Sequence, residues 1–422
     1  MTLTTRQHTL ANGVRLLFDP APAYESVAIS AVAGRGARFE DAEHCGWSHL
    51  LEHMVFKGAG RRSASQLVEE IEGEGGQINA ATGYERTSFQ ARTLPEGVDR
   101  ALEILADLIL APHLHASDLE REKHIVAQEI AEAFDTPDDQ VFEMAQAAAF
   151  PGQPLGRPIL GEATTLASAT PAALEDWRRR LYSADRLVVS VAGKADEDAI
   201  MRRIDALFGG ATAIAGIEAQ PGSFIGGVVT DARRLEQSHL VLLLPGPALE
   251  EEQYWAHRLF TEILGGGMAS RLFQEVRERL GLAYAVDAFA ESWSDVGVLG
   301  VYAGCAAEDV GRLGEAVGRE IRHLACGLKA EDLARAKAQL KAGLLMSRES
   351  LASRAEQSAV ELLSFGSVRG AARHLRDIDA VSVEDIQNLH TRHLADRRFA
   401  AATLGPKGAA AAAPRVKAAL FD

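Results

Sequence analysis

The chain has 422 residues, a formal net charge of −15 and a hydrophobic content of 47%, enough for two domains of about two hundred residues each. The acidic balance argues against nucleic-acid binding; it favours cationic peptides by long-range attraction, or serves only solubility. No apolar run approaches the ~20 residues of a membrane span, and three cysteines (Cys45, Cys305, Cys326) are too few for a disulfide framework and fit a reducing compartment.

Residues 1–8 lack the apolar core of a secretory signal, which points to a cytoplasmic location. Residues 9–17 then read as a turn and a strand. Residues 47–56 form an apolar run that reads as a helix ending at Gly58. On it His49 and His53 are four apart and share one face. Two imidazoles so placed can bind one Zn²⁺. Glu52, projecting from the same side, is placed to take a proton from a water activated by that metal. The order H-x-x-E-H inverts the better-known H-E-x-x-H zinc motif. The competing reading makes both histidines satisfied core side chains.

A helix ending near Gly73 leads into a hairpin, residues 76–83 and 86–92. An open strand edge can pair with an extended peptide through main-chain hydrogen bonds; alternatively Asn79 caps a turn and the strand is internal. Residues 117–130 read as a helix with Ser117 as N-cap and Leu119, Val126 and Ile130 at helical spacing. Glu122 and Glu129, seven apart, share a face two turns apart. One could ligate a metal while the other orients a ligand histidine, unless both belong to a solvated face. Asp139 and Glu143 follow, four apart, in an acidic stretch.

The chain repeats itself after about 212 residues. Residues 184–194 match 395–405, each a turn and an apolar strand ending at glycine. Thr170, Leu174 and Trp177 match Ser382, Ile386 and Leu389; residues 26–30 match 238–242. Several matches in one order point to a duplicated domain. Small and turn-forming residues around 209–222 place the division: a first domain at 1–212, a linker at 213–224 and a second domain at 225–422. Runs of strands and helices in each half read as α+β layers. In the second half, residues 251–264 stand where the histidine helix stands in the first but carry only His257, so one metal site per chain is expected. Gly265, Gly266 and Gly267 lack the lysine of a phosphate loop. Arg277 and Tyr284, just beyond, would pass as ordinary helix-surface and strand residues.

Taken together, these residues resemble the pitrilysin family of inverted-motif zinc metallopeptidases, which includes insulin-degrading enzyme and mitochondrial processing peptidase. The likeness is closest to bacterial members related to the processing peptidase's catalytic subunit. The family follows its H-x-x-E-H helix, after roughly seventy-five residues, with a glutamate ligand; counting from His53 reaches Glu129. Residues 36–40, 79–87, 135–139 and 155–161 share the likeness.

The resemblance implies His49, His53 and Glu129 as ligands of one Zn²⁺ per chain, Glu52 as general base and Glu122 as the supporting acid. Cys45, near enough to bind metal in principle, then reads as a small buried residue. The resemblance also implies that Asn79, Ala80, Ala81 and Thr82 hold an extended substrate, with Asn79 near the scissile carbonyl. Arg277 and Tyr284 would reach from the second domain to hold substrate and stabilise developing charge. Asp139 and Glu143 match positions by which processing peptidases bind an arginine near the cleavage site; exposed helix acids are the competing explanation.

The implied fold is α+β, two tandem homologous domains, each a mainly antiparallel sheet with helices packed on one side. The implied activity is zinc-dependent endopeptidase action on peptides or unfolded polypeptides held extended. The alternative is a non-catalytic structural or assembly subunit, against which the intact residue set argues. Zinc is expected, although the ligand types also admit manganese or cobalt. Some family members enclose substrate with four such domains in one chain, so a homodimer would rebuild that chamber; a heterodimer with a metal-free homologue is the alternative.

Overall fold

The computed structural model describes residues 5–214 and 216–422; residues 1–4 and Ala215, which enter the signal and linker expectations, lie outside the described residues. In chain order the elements are β1 (Arg6–Thr9), β2 (Arg15–Pro20), β3 (Val27–Ala33), α1 (Trp47–Val55), the short pair β4 (Gly58–Ala59) and β5 (Arg62–Ser63), α2 (Ala64–Gly73), β6 (Gln77–Thr82), β7 (Thr87–Thr93), α3 (Val98–Leu110) and α4 (Ala116–Asp135). Next come α5 (Pro137–Ala149), α6 (Ala163–Ala167), α7 (Pro171–Leu181), β8 (Leu187–Gly193), α8 (Glu197–Phe208), β9 (Gly227–Ala232), β10 (Gln237–Gly246) and α9 (Tyr254–Gly265). A π-helical segment (Phe273–Arg279) precedes β11 (Ala283–Ser292), β12 (Gly297–Ala306), α10 (Val310–Gly327), α11 (Ala330–Ser347), α12 (Leu351–Phe365), α13 (Ala371–Ala380), α14 (Val383–Asp396), β13 (Ala400–Gly405) and α15 (Ala412–Phe421). No helix among the described residues is long and apolar enough to cross a membrane.

The first sheet runs β1-β2-β8-β3-β7-β6 and the second β11-β12-β10-β13-β9. Both are mainly antiparallel, with one parallel pair each: β2 with β8, and β9 with β13. The repeat detected in sequence is therefore a repeat of topology, since β3 and β8 lie side by side in one sheet as β10 and β13 do in the other. The chain is α+β with two tandem domains of one plan.

The compact units interleave along the chain. The first comprises Met1–Ala131, Pro158–Gln220 and Leu345–Gly370; the second comprises Glu132–Arg157, Pro221–Leu344 and Ala371–Asp422. Neither unit is one continuous stretch: each takes one helix from the other half of the chain. The cause lies in the strands. β3 and β8 are buried at every position, so both faces of the sheet need an apolar cover. One face packs the main helical layer: Ile29, Ala31, Val189 and Phe89 meet Leu50, Leu51, Leu105 and Leu174. The other face is closed by α12, whose Leu351, Ala355, Ala359 and Leu362 recur at helical spacing against Ala28, Val32 and Val188. Arg354 on α12 forks onto the buried Asp19 carboxylate at 2.6 and 2.9 Å. In the second unit α5 plays that part against β9, β10 and β13, with Phe142 packed on Phe289 and Tyr302.

Candidate metal centre

α1 holds the centre because of how its residues divide. Trp47, Leu50, Leu51, Met54 and Val55 are buried and fix the helix to the core, which leaves His49, Glu52 and His53 on the remaining face. The helix starts at Gly46, whose φ of +89° favours glycine. A Cβ there would also lie 2.6 Å from the Gly161 backbone. Gly46 offers no capping side chain. Glu40 supplies the cap from outside the helix: its buried carboxylate accepts hydrogen bonds from Gly46 N at 2.8 Å and Ser48 N at 2.7 Å, a favourable place for negative charge. Trp177 Nε1 donates to Ser48 Oγ at 3.2 Å.

α4 supplies the other side. Its first residue is Ala116, with the Leu119 amide bonded to the His115 carbonyl. Ser117 is therefore inside the first turn rather than at the N-cap. The cap expectation was one to two positions late, within the usual fraying of helix ends. The buried residues of α4 are Leu119, Glu122 and Val126, an i, i+3, i+7 stripe in which a carboxylate occupies a core position. Glu129 continues that stripe by three.

Ligand-type atoms of His49, His53 and Glu129 all lie within 4.8 Å of one another, the one such group of three found among the described residues. Glu129 Oε2 is 3.9 Å from His49 Nε2 and 3.5 Å from His53 Nε2. Donors around a tetrahedral zinc with bonds of about 2.1 Å stand about 3.4 Å apart, so two imidazole nitrogens and one carboxylate oxygen here fit a zinc ion. Burial, then the neighbouring His53, pushes the His49 imidazole down to about 4, so it is neutral at pH 7, the form that ligates metals. Glu122, only 3% exposed, lies with Oε2 3.2 Å from His53 Nδ1 and Oε1 2.9 Å from Lys57 Nζ. Glu52 Oε2 is buried with no hydrogen-bond partner. Burial, and next the Glu52 charge, raises the phenol of the buried Tyr182. Cys45 is buried and directs Sγ to the Pro158 carbonyl at 3.5 Å.

Asn79, Ala80, Ala81 and Thr82 lie on β6, the end strand of the first sheet. Asn79 borders a groove of about 480 Å³ that Phe56, Val68, Ile71 and Ile78 also line. Asp139 and Glu143 sit one turn apart on α5, in the second unit; burial, and secondarily Asp139, raises the Glu143 carboxyl. Arg277 and Tyr284 also belong to the second unit. Arg277 lies in the π-helical segment with its guanidinium 5.6 Å from the centre of the Tyr284 ring, and Tyr284 on β11 is 80% exposed. His257 on α9 is fully buried; its Nε2 donates to the Val298 carbonyl at 3.1 Å, and burial pushes its imidazole down to about 3.

Sequence reasoning missed Glu40 and Lys57. The signals were an acid shortly before a helix that starts on glycine, and a cation two residues beyond the histidine helix.

The chain is similar to known proteins over most of its length. Residues 17–163 match the family described as insulinase (peptidase family M16), and residues 168–340 match the peptidase M16 inactive domain. A protein of Rickettsia felis named an uncharacterized zinc protease is 37% identical over 380 residues, covering 90% of this chain and 92% of that one. A Bacillus subtilis protein, also named an uncharacterized zinc protease, is 34% identical over 407 residues, covering 96% and 98%. A solved structure of a protease from Helicobacter pylori shares the fold with a TM-score of 0.89 at 19% identity, covering 96% of this chain and all of that one.

Proposed function

We propose, for a chain that belongs to the insulinase family of peptidases (family M16), that it is a zinc-dependent endopeptidase acting on peptides or unfolded polypeptides held in extended form. The observation that carries this reading is the convergence of His49, His53 and Glu129 within 4.8 Å, beside a carboxylate on the same helix. His49, His53 and Glu129 would hold one zinc ion. Bound there, zinc supplies Lewis acidity and a water acidified towards a pKa of about 7.

The chain's own groups do the rest. Glu122 accepts from His53 Nδ1–H and keeps Nε2 free to ligate. Glu52 keeps a buried carboxylate oxygen that the chain leaves without a partner; it takes the proton from the attacking water and returns it to the leaving amine. The end strand β6 offers main-chain donors and acceptors to an extended peptide, a mode largely indifferent to side chains, and Asn79 lies there to meet the scissile carbonyl. Arg277 and Tyr284 are donors suited to substrate binding and to charge developing on the carbonyl oxygen. Asp139 and Glu143 suit a basic substrate side chain. A homodimer is part of this reading, and light scattering of the purified chain tests it.

The decisive variant is Glu52→Gln. It is expected to keep one zinc per chain by metal analysis while losing on the order of 10²–10⁴-fold in cleavage of an unfolded basic peptide, and chelation of the unsubstituted chain should abolish cleavage. Full activity of Glu52→Gln would refute the assignment. A non-catalytic subunit would bind the same peptide and never cut it.

A further inference from the structure

We infer that Lys57 is a positioning residue for the metal centre, acting on His53 through Glu122; the inference rests on the zinc reading of His49, His53 and Glu129. Lys57 lies two residues beyond the end of α1, its backbone N–H bonded to the Met54 carbonyl at 3.1 Å. Its ammonium lies 2.9 Å from Glu122 Oε1, while the other oxygen of that carboxylate lies 3.2 Å from His53 Nδ1. One buried carboxylate thus serves two neighbours with its two oxygens. A carboxylate only accepts, so the proton of the His53 contact is on Nδ1. That leaves the lone pair on Nε2, the nitrogen 3.5 Å from Glu129. Lys57 pins Oε1 and so fixes the plane in which Oε2 meets the ring.

Charge points the same way. Glu52, Glu122 and Glu129 bring three carboxylates to two imidazoles. A divalent cation offsets two of them, and Lys57 offsets the third, the most buried. An ammonium near a zinc site also repels the ion, which would make its removal tighten binding. The carboxylate and the imidazole ring lie between Lys57 and the ligating face, so that repulsion acts at long range and is the weaker effect. The sign of the change in affinity therefore discriminates the two roles.

The test reads zinc affinity of the full chain by competition with a chromogenic chelator. Lys57→Met, which keeps the apolar stem, is expected to weaken zinc binding by about 10–100-fold. Lys57→Gln carries the same expectation should Lys57→Met fail to fold. Lys57→Arg, which keeps charge and donors, should recover affinity to within about threefold. The control is Arg354→Met, which breaks the buried pair with Asp19 on the other face of the sheet; it should lower the melting temperature and leave zinc affinity unchanged. Unchanged or tighter binding by Lys57→Met overturns the inference, as does a loss in Lys57→Arg equal to that in Lys57→Met, or a loss no greater than that of the control. Failure of the unsubstituted chain to bind zinc at all would instead remove the metal-site reading beneath it.

Discussion

Helices α1 and α9 follow equivalent strands, β3 and β10, in two sheets of one plan, and both carry histidine, yet the imidazoles meet opposite fates. On α1 the His49 and His53 side chains keep 14% and 19% exposure and face the carboxylates of α4. On α9 His257 is completely buried, spends its Nε2 on the Val298 carbonyl, and accepts through its own carbonyl from Thr261 Oγ one turn later. An imidazole is placed to bind metal when a partly open face brings carboxylates to it, and packs as a core group when the helix turns it inward. The match of residues 168–340 to the peptidase M16 inactive domain accords with that contrast.

The contrast breaks most directly at the metal. Replacing the carboxylate that completes the set, Glu129→Gln, should lower zinc affinity by at least about 100-fold, whereas His257→Gln should leave it unchanged. Chelator competition on both variants checks this; zinc loss in His257→Gln would mean that the second unit also holds metal.

Acid should separate the units next. Burial first of all depresses His257 to about 3, with the Val298 bond opposing, and holds His390, stacked on Phe260, well below its ordinary 6.5. Both are neutral in the folded chain, and the unfolded chain takes up protons that the folded one refuses. The second unit therefore keeps full stability above pH about 6.5 and loses it as pH falls below that value, for His257 until about 3. For His257 the loss is about 2 kcal/mol between pH 7 and 5, and His390 adds to it in the same direction. Urea unfolding at pH 7 and pH 5 measures it, and His390→Leu should flatten the slope. A slope unaffected by that substitution would place the acid sensitivity elsewhere.

How much of this was written in the chain depends on range. The α1 motif and the β6–β7 hairpin are local patterns of period 3.6 or 2 and read directly, and the repeat of β3 and β8 as β10 and β13 reads from short matching strings about 212 residues apart. Glu129 required a count across seventy-six residues that only the resemblance supplied. The exchange of α5 and α12 did not read at all. The stripe Leu351, Ala355, Ala359 declares an apolar face but not which sheet receives it. The unbroken burial of β3 and β8 does announce that a second cover must come from somewhere. Lys57 and Glu40 were missed for a related reason: a charged residue near a helix end is usually solvated, and only the fold shows that each meets a buried partner.

The smallest expected effect tests why α1 can carry three ionisable side chains at all. Glu40 accepts two hydrogen bonds at the start of α1 with one buried carboxylate, whereas α9 begins at Gln253 with no side-chain cap. Glu40→Gln keeps the shape but turns an NH₂ towards one of those N–H groups, leaving a buried donor unmet. That costs about 1.5–3 kcal/mol when the lost acceptor was charged. Gln253→Ala removes nothing from the end of α9 and should stay within about 0.5 kcal/mol of the unsubstituted chain. Thermal unfolding of the zinc-free chain compares the two. A Glu40→Gln chain as stable as Gln253→Ala would show that α1 is held by its apolar face alone, and that the charge at its N-terminus does not anchor the turn bearing His49.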